Sequence, residues 1–436
     1  MRVSVIGCGY LGAVHAAAMA AVGHEVVGVD IDPDKVDLLA RAEAPFYEPG
    51  LPELLEQAHA TGRLSFGTDI SAITDADVHF VCVATPQRSD SYAADVRFVD
   101  DAVAQVARVA RRGSLVVGKS TVPVGTAARL AERLAETGHV LAWNPEFLRE
   151  GFAVRDTLEP DRLVYGVEDG EVGHPAVRVL DEVYAPILAR GAPRLVMDYA
   201  TAELVKVAAN SFLATKISFI NAMAELCEVA GGDVTRLADA IGLDERIGRR
   251  FLNAGLGFGG GCLPKDIRAF IARAEELHAE PAVSFLREID AINQRRRERM
   301  VDLTIEVLGD QPVAGARIAV LGAAFKPDSD DVRDSPALDV AERLAARGAD
   351  VVVTDPEAID NARLRSPHLR FALTVEEAVQ GCDAVLLLTE WQQFRDLNPD
   401  KLAVHVRHRR VVDGRNALDP AQWRDADWTY RALGRH

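Results

Sequence analysis

The amino-acid sequence predicts an α/β fold with two doubly wound parallel domains that are joined by a central helical domain. Three observations predict this fold. A strand–helix–strand pattern opens the chain, an unbroken helical pattern begins near residue 200, and the opening pattern returns after residue 315. The predicted domains span residues 1–197, 198–308 and 309–436, and a chain of 436 residues is long enough for each to have its own core.

The first predicted domain begins with a βαβ unit. The segment RVSVIG is a short run of β-branched residues, a stretch of small helical residues continues to Ala21, Gly23 ends it, and EVVGVD is the second strand. Further strand-like runs are VHFVCVA, SLVVGKS, HVLAW and RLVYGV, and helical patterns such as VDDAVAQVARVA separate them. This alternation predicts a doubly wound parallel sheet over residues 1–197.

The central domain is predicted from one long helical pattern at residues 200–230, ATAELVKVAANSFLATKISFINAMAELCEVA. A helix of this length spans roughly 45 Å. That is too long for one small core, so we expect a spine helix that packs between domains or against another subunit. The Leu, Ile, Phe and Met side chains along it are interpreted as core or as dimer surface.

The third domain is interpreted as a degenerate copy of the first. ARIAVLGAAFKP, the helical DVAERLAARG and DVVVTDP follow the order of MRVSVIGCGYLG, its helix and EVVGVDIDP. In the copy, the glycine after the first strand (Gly322) and the acid after the second (Asp355) are 33 positions apart. In the original, Gly7 and Asp30 are 23 positions apart, and the additional residues of the copy lie in FKPDSDDVRDSP. The copy lacks two of three glycines but carries Lys326 and Arg333, so we infer that it binds a different phosphate ligand through cations.

The first domain carries a dinucleotide motif, G-x-G-x-x-G, between its first strand and first helix. Gly7 allows the turn, Gly9 lets the backbone approach a pyrophosphate, and Gly12 permits close packing of helix on strand. Asp30 ends the next strand and should accept the ribose hydroxyls, which favours NAD over NADP, although Lys35 is close in sequence. Because the third domain repeats the order of this unit, both α/β domains are predicted to be Rossmann-like.

Two later strand ends carry hydroxyl side chains. Thr85 lies in VATP, and Ser120 and Thr121 lie in GKSTVPVGT. Open α/β sheets bind ligands at these ends, so the threonines are candidates for cofactor contacts. The alternative interpretation is that they are turn and helix-cap residues.

A cysteine set among glycines, GLGFGGGCLPKD at residues 255–266, is the candidate for covalent chemistry. Pro264 suits the first position of a helix, so Cys262 should lie just before a helix N-terminus with Lys265 close by. Both neighbours favour the thiolate. The alternative is a small buried thiol that only packs.

A nicotinamide site together with a nucleophilic cysteine predicts more than a single oxidation of an alcohol. A thiolate is useful when the aldehyde must be oxidised again, because it forms a thiohemiacetal that can lose hydride and leave a thioester. Water then releases an acid. The combination predicts a four-electron oxidation that uses two NAD.

The net charge of -17 argues against nucleic acid and anionic membrane surfaces as partners. The run Arg295, Arg296 and Arg297 is interpreted as the solvated face of a helix. The five cysteines contain no C-x-x-C pair, which predicts reduced thiols in a cytoplasmic protein and no metal site. The apolar start of the chain is not expected to be a signal peptide, because glycines interrupt it.

The chain resembles the UDP-glucose/GDP-mannose 6-dehydrogenase family over nearly its whole length. The motifs that carry the resemblance occur in the family's order: GCGYLG with Asp30, KSTVPVGT, NPEFLREG, the K-x-x-x-N of Lys206 and Asn210, GFGGGCLPKD, and FKPDSDDVRDSP. The resemblance implies oxidation of UDP-glucose to UDP-glucuronate by NAD, with oxidation of GDP-mannose as the alternative. It also implies a homodimer.

The resemblance implies a role for each polar group around the cysteine. Cys262 would be the nucleophile, and Asp266 would orient or activate the hydrolytic water. Lys206 would stabilise oxyanion character or assist proton transfer in the first oxidation, with Asn210 beside it. Thr121 would hold the water that acts as acid and base.

Two glutamates in NPEFLREG are further candidates. Glu146 would contact the water or the substrate, and Glu150 would lie next to the cofactor. Four residues apart, they would share one face if the segment were helical. A solvated helix end is the alternative.

The resemblance also extends the predicted contacts along the chain. Cofactor contacts beyond the glycines and Asp30 are implied at Leu11, Lys35, Thr85, Thr121, Glu150, Lys265 and Arg333. Substrate contacts are implied at Glu146, Phe147, Leu148, Arg149, Glu150, Lys206, Asn210, Phe251, Leu252, Asn253, Ala254, Gly255, Gly259 and Lys326, and at Arg246 across a dimer interface.

One departure from the family pattern lies beside the nucleophile. Gly261 stands where the family often has serine or a larger residue, and we expect added backbone freedom there. Two further interpretations remain open from sequence, a two-electron dehydrogenase and an NAD-sensing protein in which Cys262 is only structural.

Overall fold

The computed structural model describes residues 1–435, and His436, the last residue of the third predicted domain, lies outside the described residues. The chain forms two compact units. The first unit consists of Met1–Ala209 and Arg268–His278, and the second consists of Asn210–Ile267 and the chain from Ala279 onward.

The described part of the first unit contains an eight-stranded sheet with the strand order β3-β2-β1-β4-β5-β6-β7-β8. The strands are β1 (Arg2–Ile6), β2 (Glu25–Val29), β3 (Leu64–Gly67), β4 (Val78–Val81), β5 (Leu115–Gly118), β6 (Val140–Trp143), β7 (Leu163–Val167) and β8 (Arg194–Asp198). Neighbouring strands are parallel except for β6 and β7. The predicted parallel α/β sheet is confirmed, with β7 and β8 running against the other six strands.

Helices cover both faces of this sheet, because its strands are apolar on both sides. Along β5, Leu115 and Val117 belong to one hydrophobic cluster and Val116 to another. The helices are α1 (Tyr10–Ala21), α2 (Pro33–Ala40), α3 (Leu51–Ala60), α4 (Arg97–Val109), α5 (Thr126–Thr137), α6 (Ala153–Leu158), α7 (Pro175–Val183) and α8 (Ala185–Leu188), with a short 3-10 helix at Ile70–Ile73.

The predicted spine helix is present as α9 (Tyr199–Ala230), whose 32 residues span about 48 Å. It is followed by α10 (Val234–Gly242), α11 (Leu263–Glu276), α12 (Glu280–Val283) and α13 (Phe285–Leu308). This confirms a central helical region.

The described part of the second unit contains a six-stranded parallel sheet with the order β11-β10-β9-β12-β13-β14. Its strands are β9 (Arg317–Leu321), β10 (Asp350–Thr354), β11 (Arg370–Phe371), β12 (Ala384–Leu387), β13 (Arg410–Asp413) and β14 (Thr429–Ala432). Its helices are α14 (Pro336–Ala346), α15 (Ile359–Arg365), α16 (Val375–Val379), α17 (Gln392–Arg395), α18 (Pro399–Ala403) and α19 (Pro420–Asp425). Strand β9 lies between β10 and β12 as β1 lies between β2 and β4, so the two sheets repeat one topology.

Within residues 1–435, no helix combines the length and the apolar composition that crossing a membrane requires.

Candidate active site

The glycine motif forms an open cradle between β1 and α1. A Cβ atom on Gly12 would lie 1.8 Å from the carbonyl oxygen of Gly7, so only glycine fits there. A Cβ on Gly9 would meet nothing within 4 Å. No side chain caps the N-terminus of α1 and its first turn holds no acid, so its N–H groups can bind an anion. These features fit the pyrophosphate of a dinucleotide.

Asp30 lies directly after β2, where the motif predicts it. One carboxylate oxygen accepts a hydrogen bond from the backbone N–H of Cys8 (2.7 Å). The other accepts from the backbone N–H of Asp32 (3.0 Å) and from Nζ of Lys35 (3.3 Å). The Lys35 ammonium therefore lies against the predicted ribose acceptor.

The corresponding acid of the second sheet, Asp355, accepts more hydrogen bonds than the three of Asp30. Its carboxylate accepts from the backbone N–H groups of Ala323 (2.7 Å) and Ala324 (3.0 Å) and from the indole of Trp391 (3.1 Å). The backbone N–H groups of the two residues Glu357 and Ala358 complete the set (3.0 and 2.9 Å). Five donors leave little capacity for a ribose, which agrees with a different ligand for this copy.

The loops after β4 and β5 are joined at the predicted cofactor threonines. The hydroxyl of Thr85 donates to the carbonyl oxygen of Thr121 (2.8 Å), and the hydroxyl of Ser120 donates to the carbonyl of Val83 (2.6 Å). The hydroxyl groups of Thr85 and Ser120 therefore link two strand ends and do not cap a helix.

Glu203, which sequence reasoning missed, supports the Thr121 loop from α9. Its buried carboxylate accepts from the backbone N–H groups of Gly125 and Ala127, both at 2.7 Å, at the N-terminus of α5. Burial raises the pKa of Glu203 to about 7. Arg273 donates to the carbonyl of Val124 (2.9 Å) in the same loop. No local pattern marks Glu203, because its partners lie some 76 residues earlier.

Glu146 and Lys206 form a nearly buried ion pair in the first unit. Their side chains are 13% and 6% exposed, and Nζ of Lys206 lies 3.0 Å from the carboxylate. The second oxygen of Glu146 accepts from the backbone N–H of Leu148 (2.8 Å). Nζ of Lys206 also lies 5.7 Å from the centre of the Phe147 ring. The pair places a fixed cation beside a carboxylate in a site of low water content.

The segment that carries Glu146 and Glu150 is not helical. It is an irregular loop between the end of β6 at Trp143 and the start of α6 at Ala153. The expectation that both glutamates share a helix face is therefore wrong. Backbone N–H groups of this loop bond to side chains instead, that of Leu148 to Glu146 and that of Arg149 to Asp156.

Glu48, also missed from sequence, shapes the end of this loop. Its carboxylate accepts from the backbone N–H groups of Gly151 (2.6 Å) and Ala153 (2.7 Å) and from the hydroxyl of Tyr10. Glu150, the predicted cofactor neighbour, precedes these residues and is buried. Glu48 thus ties the loop to the first helix of the dinucleotide motif.

The remaining side chains of the loop make local contacts. Arg149 is bound to the carboxylate of Asp156 (2.6 Å) and lies 5.3 Å from the ring of Phe152. The guanidinium of Arg162 lies 3.8 Å from the centre of the Phe147 ring. These pairs orient the loop around Glu146.

Cys262 is the one exposed cysteine of the five, and the other four are buried. Helix α11 begins at Leu263, so Cys262 immediately precedes its N-terminus and Pro264 is the second helical residue rather than the first. The backbone N–H of Asp266 donates to the carbonyl of Cys262 (2.8 Å). The interpretation of Cys262 as a buried packing thiol is wrong.

Asp266 lies one turn into α11 and is held from two sides. Nδ2 of Asn210 lies 2.6 Å from one carboxylate oxygen, and Nζ of Lys265 lies 2.7 Å from the other. Asp266 is 2% exposed and Asn210 is 8% exposed. The structure therefore brings these three predicted residues together in the second unit.

The cysteine loop, residues 255–262, is anchored by side chains that sequence reasoning did not select. Gly255 donates its N–H to Asn221 (2.8 Å), and Phe258 exchanges two hydrogen bonds with the amide of Asn293 (2.8 and 2.9 Å). Arg415 donates to the carbonyl of Gly257 (3.0 Å). The partners lie 34 to 158 residues away, so no local signal identifies them.

The arginine run on α13 is not a solvated face. Arg296 and Arg297 are 0% and 4% exposed, and only Arg295 is half exposed. Arg296 donates to the carbonyl of Gly255 (3.4 Å) and pairs with Glu228. The prediction fails because α13 packs this side against the cysteine loop, whose backbone carbonyls accept from the guanidinium groups.

Gly261 does not add free space beside the cysteine. A Cβ at this position would lie 2.3 Å from the guanidinium carbon of Arg333, so this arginine occupies the room that a side chain would need. Arg333 also pairs with Asp331 (2.7 Å). Its guanidinium is thus held next to the backbone of the predicted nucleophile.

Other predicted substrate residues are spread over the second unit. Nζ of Lys326 lies 5.5 Å from the Phe325 ring, and Arg246 pairs with Asp244 (2.6 Å) while its side chain stays 88% exposed. Phe251 and Asn253 are exposed, whereas the other predicted loop contacts are buried, namely Leu252, Ala254, Gly255 and Gly259. Among residues 1–435, no cluster of three or more His, Cys, Asp or Glu side chains could hold a metal.

Comparisons with known proteins agree with this arrangement. Three models of the UDP-glucose/GDP-mannose dehydrogenase family match in order: the NAD binding domain over residues 1–188, the central domain over residues 200–295 and the UDP binding domain over residues 319–420. The chain is 40% identical over 440 residues to a UDP-glucose 6-dehydrogenase of Rhizobium meliloti (strain 1021), with all of both chains covered.

A UDP-glucose 6-dehydrogenase of Bacillus subtilis (strain 168) is 38% identical over 442 residues, which covers 100% of this chain and 98% of the relative. A solved UDP-glucose dehydrogenase from the archaeon Pyrobaculum islandicum has a TM-score of 0.90 at 40% identity and covers 100% of this chain and 98% of its own. The cofactor predicted from the glycine motif and Asp30 is confirmed as NAD. The chain is an NAD-dependent enzyme that belongs to the UDP-glucose/GDP-mannose dehydrogenase family.

Proposed function

We propose that this enzyme oxidises carbon 6 of UDP-glucose to the acid, giving UDP-glucuronate, in two successive steps through Cys262. The observation that carries the proposal is the exposed Cys262 at the N-terminus of α11, with the buried Asp266 one turn further along the same helix. Overall, the alcohol, two NAD and one water give the carboxylate, two NADH and three protons.

In the first step, the carbon 6 hydroxyl loses a proton and a hydride to become an aldehyde. Bound NAD supplies the hydride acceptor in both oxidations. Lys206 would stabilise the developing oxyanion, and Glu146, 3.0 Å from its ammonium, would orient it and exchange protons through a water held by Thr121. Lys206 and Asn210 are four residues apart on α9, which is one helical turn.

In the second step, the thiolate of Cys262 adds to the aldehyde carbon and forms a thiohemiacetal. Loss of hydride leaves a thioester, and water then attacks its carbonyl carbon while the Cys262 sulfur departs as thiolate. Asp266 would orient that water, because Asn210 and Lys265 hold its carboxylate in one position. A helix N-terminus stabilises the thiolate in its two roles, as nucleophile and as leaving group.

UDP-glucose is favoured as the substrate because the relatives at 40% and 38% identity over the full chain are UDP-glucose 6-dehydrogenases. The C-terminal sheet matches a UDP binding domain, and its acid Asp355 is saturated by protein donors. We propose that the remaining predicted contacts, including Lys326 and the loop at Phe251, surround this ligand. GDP-mannose is the alternative substrate.

We also propose that the enzyme acts as a homodimer in the cytoplasm, through the exposed face of α9. Phe212, Phe219 and Leu226 are 66%, 48% and 61% exposed and recur every seven residues, so they form one apolar stripe on the helix. Large apolar stripes are normally covered by protein. Arg246 is proposed to act across the same interface.

A substrate panel with a count of NADH tests the reaction. Purified enzyme is offered UDP-glucose, GDP-mannose and an N-acetylated UDP-sugar, and NADH is measured per sugar consumed. We expect turnover of UDP-glucose with two NADH per sugar. One NADH per sugar would refute the thioester route. Turnover of GDP-mannose but not of UDP-glucose would refute UDP-glucose as the substrate.

The matched variant is Cys262→Ser, which keeps the size of the side chain but removes the thiolate. We expect it to bind NAD as the parent enzyme does and to release no acid above about one thousandth of the normal rate. Full turnover by this variant would exclude the covalent role.

A further inference from the structure

The cysteine loop interlocks with the segment after β9, residues 325–336, inside the second unit. The backbone N–H of Gly260 donates to the carbonyl of Arg333 (2.8 Å). A Cβ on Gly259 would lie 2.3 Å from the carbonyl oxygen of Asp334, and a Cβ on Gly260 would lie 2.7 Å from the Phe325 ring. The two backbones therefore touch without any intervening side chain.

Contact between backbones alone does not fix the direction of Cys262. Three consecutive glycines, residues 259–261, separate it from Phe258, and glycine is the residue that best tolerates alternative backbone conformations. Side chains from outside the loop must hold it, and besides Asn293 and Arg415, which bond its backbone, Arg297 of α13 is in position to do so.

Arg297 joins both segments through one guanidinium group. Its Nη2 atom lies 3.4 Å from the carbonyl of Phe258, 3.0 Å from the carboxylate of Asp334 and 3.5 Å from the carbonyl of Asp334. Its Nη1 atom donates to Asp339 on α14 (3.2 Å). The side chain is 4% exposed, so water competes little for these contacts.

Asp334 itself needs support in this position. Its φ of 46° lies in the left-handed region, which residues other than glycine adopt at a cost. The adjacent residue, Arg333, fills the space over Gly261. Fixing the Asp334 backbone therefore also fixes the start of the side chain that lies against the cysteine loop.

We propose that Arg297 is a positioning residue for the reaction, because it holds the loop of Cys262 and the segment of Arg333 in a fixed position relative to each other. The inference rests on the proposed role of Cys262 as nucleophile. Arginine is required because its planar fork reaches acceptors on different segments, whereas a lysine ammonium is a compact charge that cannot span them all. The sequence pattern placed Arg297 only in a run interpreted as a solvated helix face, and none of the family motifs quoted above includes it.

The test compares Arg297→Lys with the matched control Arg295→Lys in the full-length enzyme. Both changes keep the charge, and Arg295 lies in the same run but is half exposed and pairs with Glu288. The measurements are kcat, KM for UDP-glucose, affinity for NAD, and the rate at which iodoacetamide alkylates Cys262. Alkylation reports the position of the thiol whether or not the enzyme turns over.

For Arg297→Lys we expect kcat to fall about 10- to 100-fold, KM to change by less than about 3-fold, and the alkylation rate of Cys262 to change several-fold. The control should stay within about 2-fold of the parent in every measurement. Parental kcat and alkylation in Arg297→Lys, or equal effects in both variants, would overturn the proposal.

A second variant, Asp334→Asn, guards against a folding defect. Asparagine also tolerates the left-handed conformation, so the backbone is kept while the ionic contact with Arg297 is weakened. We expect kcat and the alkylation rate of Cys262 to change in the same direction as in Arg297→Lys but by less, with KM again nearly unchanged. A parental alkylation rate in Asp334→Asn would also contradict the proposal. Failure of the nucleophile hypothesis is a separate result, because full turnover by Cys262→Ser, or one NADH per sugar in the parent enzyme, would show it.

Discussion

Burial divides the five thiols of this enzyme into two chemical classes. Burial raises the pKa of Cys82 and that of Cys382 to about 12, and burial first and then nearby carboxylates raise the pKa of Cys8 and of Cys227. Such thiols stay protonated and are poor nucleophiles at neutral pH. Cys262 alone is exposed, at a helix N-terminus, so alkylating reagents should select it among the five.

The glycines of the dinucleotide motif serve different purposes, and alanine substitutions should separate them. Gly9→Ala places a Cβ in open space at a φ of −69°, which alanine adopts readily. We expect the melting temperature to stay within about 2 °C and the Kd for NAD to rise at least about 10-fold. Thermal unfolding and calorimetric titration with NAD measure both effects.

Gly12→Ala is the contrasting variant, because its Cβ would lie 1.8 Å from a backbone oxygen. It should lower the melting temperature by several degrees even without NAD, at about 1 kcal/mol or more of lost stability. Parental NAD affinity in Gly9→Ala would contradict the assignment of this glycine to the pyrophosphate.

At the scale of elements, α9 supplies functional groups along its whole length. Glu203 supports the Thr121 loop, Lys206 pairs with Glu146, Asn210 holds Asp266 and Asn221 anchors Gly255. One helix of 32 residues therefore carries side chains that support loops within each of the two units.

The apolar stripe on α9 gives a prediction about assembly. We expect the parent enzyme to sediment as a dimer and Phe219→Asp to sediment as a monomer at micromolar concentration, because burying an unpaired carboxylate weakens association by at least about 10-fold. The matched control is Leu373→Asp, since Leu373 is 70% exposed but lies in the loop between β11 and α16. Analytical ultracentrifugation distinguishes the two, and a dimeric Phe219→Asp would contradict the proposed interface.

At the scale of the whole molecule, the two α/β sheets show how one topology serves two ligands. The acid after the second strand is Asp30 in one sheet and Asp355 in the other. Asp30 accepts from three protein donors, one of them Lys35, whereas Asp355 accepts from five that include the indole of Trp391. One topology therefore presents a differently occupied acid at the same position of each sheet.

Stability as a function of pH should depend on a buried histidine at the amino ends of the first sheet. The ring of His79 bonds to Ser4 (2.7 Å) and Ser114 (3.2 Å). Burial, followed by repulsion from His139, lowers the pKa of His79 to about 4. Between pH 6.5 and pH 4 the unfolded chain binds a proton that the folded chain does not, so the free energy of unfolding falls as the pH falls.

We expect His79→Gln to be less stable than the parent at pH 7 but to lose about 1.4 kcal/mol less per pH unit between pH 6 and pH 4.5. The measurement is urea unfolding monitored by hydrogen exchange in peptides that cover β4, which reports the pH dependence of the free energy of unfolding locally. Equal pH dependence in parent and variant would show that His79 is not the responsible group.

Central strands could be predicted from sequence, but edge strands could not. Strands β4 and β5 are buried on both faces, and β5 appears as a continuous apolar run while only His79 interrupts β4. The two strands of the first sheet that the sequence did not predict, β3 and β8, lie at its edges, and β8 is only half-buried. Its pattern is weak because solvent faces much of it. The boundaries at residues 197 and 308 stay a prediction.

Contiguous residues determined the dinucleotide cradle, the cysteine at a helix N-terminus and the spine helix, because backbone conformation and helix periodicity are local properties of the chain. Only the tertiary structure decided which charged residues are buried. Glu48, Glu203, Arg296 and Arg297 resemble ordinary surface residues in the sequence, yet each holds a loop by bonding to its backbone. The physical reason is that a loop backbone must find partners for its polar groups, and here distant elements provide them.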